Sequence, residues 1–578
     1  MNGTQWIVFI LIIQIIHFLG TWKLYVKAGR KAWEAAIPIY NAIILMKIIK
    51  RPKWWVFLLF LPIINLLMFP VVWVETIRSF GKNSLLDTWL VILTLGLYIY
   101  YINYTQDVQY NKERDLNPKS ALGEWVSSII FAIVAATFVH TYFIQPYVIP
   151  TGSLEKTLLV GDFLFVSKFH YGARLPMTTL AAPMVHDTIP GLGIRSYIAD
   201  VDPTTAEKSW LNKLQLPYMR LPAITKVDRN DIVVFSWPAD TVVRFFKRAK
   251  GVQKPIDKKS NYVKRCVGLP GDSLAIKNGD IYVNGNKFVF SERAKRQTSY
   301  VVTTQGQIDN SVISLLGREN FAGNVISIAK NTLSKDRADE LLDRMQLNKI
   351  KEDSTRIYYM GGFINDKVKA YLDGKEETNM ILFNMTGDEA NNYTGKAGII
   401  SVEKFTFTRP DTRVFPQSAA HPGTEDNFGP IYIPQKGVTV PLNLRVLPYY
   451  KKIIKDYENN TISVSGNQIS INGQVADTYT FKQNYYWMMG DNHHRSEDSK
   501  FWGYVPENHI VGTPIFIWMS VENLVAGEGD IKVRWDRVFT TVNGDGEPVS
   551  YFKYFLILLA AYFVGNYFWK KKKAKSRI

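Results

Sequence analysis

Apolar residues are spread unevenly along this chain. They gather in long runs towards its two ends, and in the middle they alternate with polar residues over short stretches. A helix needs about twenty apolar residues to cross the roughly 30 Å hydrocarbon layer of a membrane. Runs of this kind are Trp6 to Trp22, Trp54 to Val74, Leu85 to Tyr101, Trp125 to Ile144 and Tyr554 to Trp569, so the pattern predicts five spans. Gln14 and His17 interrupt the first. The Trp54-Trp55 pair and the aromatics bracketing the last suit membrane interfaces. Ala35 to Ile49 is also apolar, but Pro38, Asn41 and Lys47 break it. It reads as an interfacial or re-entrant segment.

Between residues 145 and 550 the pattern predicts strands. Asp231 to Trp237, Ser273 to Lys277 and Gly279 to Gly285 are short β-branched and aromatic runs closed by Asn-Gly or Pro-Gly turns. Ser463 to Val475 repeats the pattern of Ser273 to Lys287, with Asn472-Gly473 matching Asn284-Gly285. Between the two copies lies a long insertion containing a predicted helix, Ser334 to Leu347, with Ser334 as its N-cap. The chain divides accordingly. Residues 1–124 carry about three spans, and 125–144 form the helix entering the soluble region. Residues 145–290 and 458–550 are the two parts of a mainly β core, 291–457 an inserted α+β domain, and 551–578 a last span with a basic tail.

Charge changes this picture in one respect. The net charge of +18 raises the question of nucleic acid. Yet much of it flanks the apolar runs: Lys23, Lys27, Arg30 and Lys31, then Lys47 to Lys53, then Lys570 to Lys573 with Lys575 and Arg577. Charge so placed marks topology and attracts anionic lipid, so membrane lipid is the expected partner and nucleic acid is not. Met1 to Gln5 holds no basic residue, and positive charge follows the first run. That order argues against a cleavable signal peptide and puts the N-terminus outside. Five crossings then leave residues 145–550 extracytoplasmic and the Lys570 to Lys573 tail inside; six would set the two ends against each other. The single cysteine, Cys266, allows no intrachain disulfide and no cysteine-rich zinc site.

Three separated segments carry candidate chemistry: Gln145 to Asp162, containing Pro150-Thr-Gly-Ser153; Asn261 to Asp272, containing Lys264-Arg265; and Trp487 to Tyr504, containing Gly490-Asp-Asn492. Each alone has a plain reading, as a turn leaving a helix, a solvated basic pair and a common loop. Together, and in this order, they resemble the type I signal peptidases, the bacterial leader peptidases. In those enzymes a Ser-Gly-Ser-Met-type segment follows the last N-terminal span. A Tyr-Ile-Lys-Arg-x-Val-Gly-Leu-Pro-Gly-Asp segment and a Met-Gly-Asp-Asn segment with a following Ser-x-Asp-Ser-Arg-x-Trp-Gly complete the site. The resemblance covers roughly Gln145 to Lys287 and Ser463 to Asn523.

The resemblance implies a mainly β catalytic domain of signal-peptidase type with an inserted α+β domain, plus transmembrane α-helices. It implies a serine endopeptidase of the plasma (inner) membrane that removes signal peptides from preproteins, uses no cofactor or metal, and has the protein-export machinery as a candidate partner. Ser153 would be the nucleophile and Lys264 the general base. Thr151 and the Ser153 N–H would form the oxyanion hole. Ser496 would orient the lysine, Asp498 would pair with Lys500, and Tyr147, Ile149, Pro150 and Val263 would line the substrate site. Leu154, Lys156, His493-His494-Arg495 and Lys500 depart from the pattern, but no reacting group is lost.

This chemistry makes a physical demand. A lysine near its ordinary pKa of about 10.4 is neutral in only about one molecule in a thousand near neutral pH, so a lysine base must be buried. Val263 and Val267 around Lys264 suit such a setting. Gly152 would permit a sharp turn before the nucleophile. Other readings are weaker. The chain has 8 histidines but no Gly-x-Ser-x-Gly elbow and no phosphate-binding Gly-x-x-x-x-Gly-Lys loop. Asp491, His493 and His494 lack the spacing of a helical zinc motif and read as a solvated loop. A non-catalytic membrane scaffold would be expected to lose Ser153 or Lys264. A self-cleaving Ser-Lys regulator would not need several spans.

Overall fold

The computed structural model describes residues 3–117, 120–202, 204–206, 208–239, 242–244, 247, 248, 252–331, 347–360, 370, 373–524, 530–544 and 546–575. The helix expected over Ser334 to Leu347 falls on residues 334–346, outside that set, except for its last residue. The chain forms two compact units. One comprises residues 1–145, 172–224 and 240–260; the other comprises 146–171, 225–239 and 261–578.

Three described helices are long and apolar enough to cross a membrane: Gly3–Lys27, Ala121–Tyr142 and Phe552–Lys575. They match the first, fourth and fifth expected spans. The second does not form one helix. Pro62 disfavours helical backbone at the residue before it, and Leu61 is extended (ψ 122°), so Trp55–Phe60 stops there. A separate helix, Ile64–Ser79, follows. The third expected span is also divided. Leu85–Leu93 and Tyr98–Thr105 meet at a bend of 118°, so a fourth crossing exists only if this pair counts as one span. Gly96 sits at the bend with φ +87°, a conformation glycine adopts without strain. Tyr40–Ile48 is a nine-residue helix, too short to span, with Asn41, Ile44, Leu45, Met46 and Ile48 buried. Ile44, Leu45, Met46 and Ile48 pack within the helical core.

In the second unit nine strands form the main sheet. Its order is Ile144–Val148, Asp162–Ser167, Ile510–Glu522, Ile232–Ser236, Asn261–Gly268, Tyr485–Met489 and Val505–Pro506, with two short strands added along Ile510–Glu522. The two expected copies of a turn unit are both present. Ser273–Lys277, Asp280–Val283 and Asn286–Lys287 form one antiparallel meander, and Ile462–Ser465, Gln468–Ile471 and Gln474–Val475 the other. Asn284-Gly285 and Asn472-Gly473 turn with positive φ throughout, as two-residue hairpins of this kind require. In both copies the asparagine Oδ1 accepts the backbone N–H of the residue eleven positions earlier, Ser273 at 2.8 Å and Thr461 at 2.9 Å.

The insertion builds its own six-stranded sheet, in the order Asn348–Glu352, Arg356–Met360, Phe321–Ala329, Gly374–Thr386, Gln297–Thr304 and Ile399–Lys404. Its packing ends earlier than the sequence pattern suggests. Phe428–Tyr432 pairs with Ser273–Lys277, and Leu447, Tyr450, Ile453 and Ile454 share a core with Trp487 and Tyr504. Residues 428–457 thus pack with the flanking strands and not with the inserted sheet.

Candidate active site

Asn261–Gly268 pairs through residues 261–265 with Ile232–Ser236 and through residues 265–268 with Tyr485–Met489, and every residue from Lys264 to Gly268 is buried. Side chains on a strand alternate in direction. Tyr262 and Lys264 therefore share a face, and the Lys264 amine lies 5.4 Å from the centre of the Tyr262 ring. Trp237 and Trp502 pack on that ring, at 4.9 and 5.4 Å between centroids. This apolar surround excludes water, and Lys264 is only 3 % exposed. Desolvation lowers its pKa to about 8. The negative charge of Asp498 works against burial, and the positive charge of Lys500 works in the same direction as burial.

Ser153 lies in the short 3-10 turn Gly152–Leu154, reached from the strand Ile144–Val148. Its Oγ is 2.5 Å from the Lys264 Nζ, and both groups are buried. Leu154 plugs an apolar cluster with Ile149, Leu158, Leu164, Ile232 and Val234, which fixes the turn from below. Tyr147 and Val263 pack on the same cluster. Pro150 is half-buried and Thr151 is exposed. Tyr147, Ile149 and Val263 thus share one cluster with Leu154 of the Ser153 turn. Gly152 does not need glycine's conformational freedom. A Cβ there would stand 2.9 Å from the Glu155 carboxylate, the movable end of a flexible side chain.

Ser496 differs from expectation. Its hydroxyl is buried without a hydrogen-bond partner and makes no bond to Lys264. It lies against Gly490, where a Cβ would meet Ser496 Oγ at 2.2 Å and the Ser153 carbonyl oxygen at 2.5 Å. The Ser496 hydroxyl and the Ser153 carbonyl thus lie on the same side of Gly490. Asp498 and Lys500 pair at 2.8 Å with both side chains wholly buried. Asp498 also accepts the Gly490 N–H at 3.1 Å, and Lys500 donates to the His493 carbonyl at 3.0 Å. The pair therefore braces the loop on which Ser496 sits.

Asp491, read from the sequence as part of a solvated loop, is instead buried, and it and Asn492 have structural duties. Arg265 grips Asp491 through two N–H···O bonds of 2.7 Å, and both side chains are buried. The fork geometry ties the loop to the strand that carries Lys264. Removing one partner leaves the other charge buried and unpaired. Asp491→Ala is therefore expected to lower stability by about 3–5 kcal/mol, measured by chemical denaturation in detergent; a loss under about 1 kcal/mol would contradict a buried pair. Asn492 donates its backbone N–H to the Ser153 carbonyl and its side-chain amide to the Gly152 carbonyl, both at 3.1 Å. Asp491 and Asn492 stand inside a motif already visible in the sequence; their partners were not visible.

His493 and His494 do not form a solvated loop. His493 is wholly buried, and both rings reach Asp426 from the insertion, with Nε2 at 2.8 and 3.0 Å from Oδ1. The three groups are close enough to hold a metal ion. Hydrogen bonding gives another account. His494 Nδ1 accepts the Ser299 backbone N–H at 3.2 Å, so its Nε2 carries the proton and donates to Asp426. Asp426 also accepts the Phe407 N–H at 2.6 Å, and the His493 and His494 hydrogen bonds, outweighing burial, hold its carboxyl far below the usual carboxylate range. The carboxylate is already satisfied as the hub of a fold contact.

Comparison with known proteins agrees with this geometry. The model of the family "Signal peptidase, peptidase S26" matches residues 122–320 and 429–519, together half of the chain. Residues 33–113 match a family described only as being of unknown function. The chain is similar to signal peptidase I of Buchnera aphidicola subsp. Schizaphis graminum, 23% identical over 407 residues, covering 70% of this chain and 78% of that one. It is similar to signal peptidase I of Haemophilus influenzae, 21% identical over 427 residues, covering 74% and 78%. Signal peptidase I of Pseudomonas aeruginosa is 29% identical over 171 residues, covering 29% of this chain and 40% of that one.

Proposed function

The chain belongs to the signal peptidase family, peptidase S26, and from that premise we propose that it is a membrane-bound serine endopeptidase that cleaves N-terminal signal peptides from exported preproteins. Ser153 is the nucleophile and neutral Lys264 the general base. The observation that carries this reading is the 2.5 Å approach of a buried amine to a buried alcohol. Neutral Lys264 takes the Ser153 proton as Oγ attacks the scissile carbonyl. The ammonium then returns that proton to the leaving amine. Water, deprotonated by the same amine, next attacks the acyl carbon, and the ammonium returns its proton to the departing Ser153 Oγ. The Ser153 N–H and the Thr151 hydroxyl face the oxyanion in this scheme. Asp498 and Lys500 hold the Ser496 loop in place.

Tyr147, Ile149, Pro150 and Val263 suit a pocket for small side chains, as found at the end of signal peptides. Such a pocket discriminates by only about 1–3 kcal/mol per methylene, so tethering of both partners in the membrane supplies further selectivity. In our reading the enzyme is multi-pass. Crossings by Gly3–Lys27, Ala121–Tyr142 and Phe552–Lys575 have the same parity as the five expected from hydropathy. An outside N-terminus then gives an extracytoplasmic catalytic domain and an inside Lys570 to Lys573 tail. Lipid is the surrounding partner, and the export machinery a further one. The domain division is 1–124, 125–144, 145–290, 291–457, 458–550 and 551–578, with residues 428–457 returned to the catalytic core by their packing.

The test is cleavage of a preprotein with small residues before the cut, using the full chain in detergent. Ser153→Ala is expected to reduce turnover at least about 10³-fold with the fold retained. Undiminished cleavage by that variant would remove the nucleophile assignment. No cleavage by the native chain in lipid would favour a non-catalytic scaffold instead.

A further inference from the structure

We propose that Asn384, from the inserted sheet, is a positioning residue that sets the oxyanion-hole N–H of Ser153. The inference rests on the reading of Ser153 as nucleophile and gives the insertion a catalytic duty. Asn384 lies near the end of the strand Gly374–Thr386, far from the active-site motifs in sequence, and is 1 % exposed. Its amide Nδ2 donates to Asn492 Oδ1. Asn492 Nδ2 in turn donates to the Gly152 carbonyl at 3.1 Å, while its backbone N–H holds the Ser153 carbonyl at 3.1 Å.

The orientation of this relay is forced. A carbonyl oxygen only accepts, so the NH₂ end of Asn492 must face Gly152 and its oxygen must face Asn384. Asn384 must then present its own NH₂, leaving its oxygen for the Ser299 hydroxyl at 3.4 Å. The consequence falls on the Gly152–Ser153 peptide. That unit is planar and trans, so its C=O and N–H point in opposite directions. Pinning the Gly152 oxygen towards Asn492 therefore aims the Ser153 N–H away from it, towards the face where an oxyanion would form.

Independent contacts hold the inserted domain in register for this task. The Gln297 N–H bonds the Asp491 carbonyl at 2.8 Å, Ser299 bonds His494, and Asp426 receives both histidines. Glu389, just beyond the same strand, pairs with Lys156 on the nucleophile segment. The insertion thus touches both sides of the turn that carries Ser153.

The test compares Asn384→Ala and Asn384→Asp in the full chain in detergent, with Ser153→Ala as reference. Loss of one oxyanion donor lowers kcat by about 10²–10³-fold, and loosening it is expected to lower kcat about tenfold in N384A with KM within about twofold. N384D keeps the volume but can only accept. It turns the Asn492 amide so that an oxygen faces the Gly152 carbonyl, and kcat is expected to fall further than in N384A. Equal kcat in the native chain and both variants, or losses that only follow the folded fraction, would overturn the proposal. If N384A does not fold, the N384D kcat alone decides. Activity surviving in Ser153→Ala would instead sink the site reading, whatever Asn384 does.

Discussion

Lys264→Met is expected to lose cleavage by at least about 10³-fold and, at neutral pH, to be the more stable protein by roughly 3 kcal/mol. The two effects share one origin. Folding holds the Lys264 amine at about 8, against 10.5 in an exposed chain. Between those values the unfolded chain binds more protons, so stability rises with pH across that window. Below pH 8 the folded protein carries the whole cost of desolvating the ammonium. A methionine of similar length has no charge to desolvate, so it relieves the fold and removes the base. The native enzyme should show kcat/KM rising about tenfold per pH unit up to about pH 8 and level above it, following the neutral amine. Parallel denaturation at pH 7 and pH 10 completes the measurement: the stability gap between K264M and the native chain should narrow to about 1 kcal/mol at the higher pH. A variant that keeps its activity, or a pH profile flat from 6 to 9, would remove the lysine base from the mechanism.

How this site could be read from the sequence follows from where its parts lie. Ser153, Lys264 and the loop from Gly490 to Lys500 sit in short motifs whose residue types are unusual together, so they were legible although they come from three distant segments. Strand and turn patterning made the two meanders legible, because Asn-Gly turns impose positive φ locally. What was hidden is what depends on tertiary context. Asn384 and Asp426 stand in an insertion with no motif, and only the fold delivers them to Asn492, His493 and His494. The apolar run from Trp54 to Val74 looked continuous because hydropathy does not register the backbone effect of Pro62. His493 and His494 read as solvated because the carboxylate that buries them lies some seventy residues away in the chain. Patterning reports what a residue prefers locally; it does not report who meets it.

The site is also built so that a single methyl group can disable it. Gly490 has no need of positive φ, yet a Cβ there would stand 2.2 Å from Ser496 Oγ, 2.5 Å from Ser496 Cβ and 2.5 Å from the Ser153 carbonyl oxygen. Real atoms do not approach so closely, so something must move. The Ser496 hydroxyl can rotate, but its Cβ and the Ser153 backbone cannot yield without shifting the loop or the Ser153 turn. Misplacing a reacting group by about 1 Å costs about 10²-fold in rate, and overpacking a filled interior costs about 1–3 kcal/mol. Gly490→Ala is therefore expected to lower kcat about 100-fold and stability by about 2 kcal/mol. The double variant Gly490→Ala with Ser496→Gly separates the two contacts. It deletes the Ser496 clash but leaves the methyl against the Ser153 carbonyl, so stability should largely return while kcat stays low. Full recovery of kcat in the double variant would locate the damage at Ser496 and leave the nucleophile turn undisturbed. Native activity in the single variant would mean that Gly490 does not press on Ser153 at all.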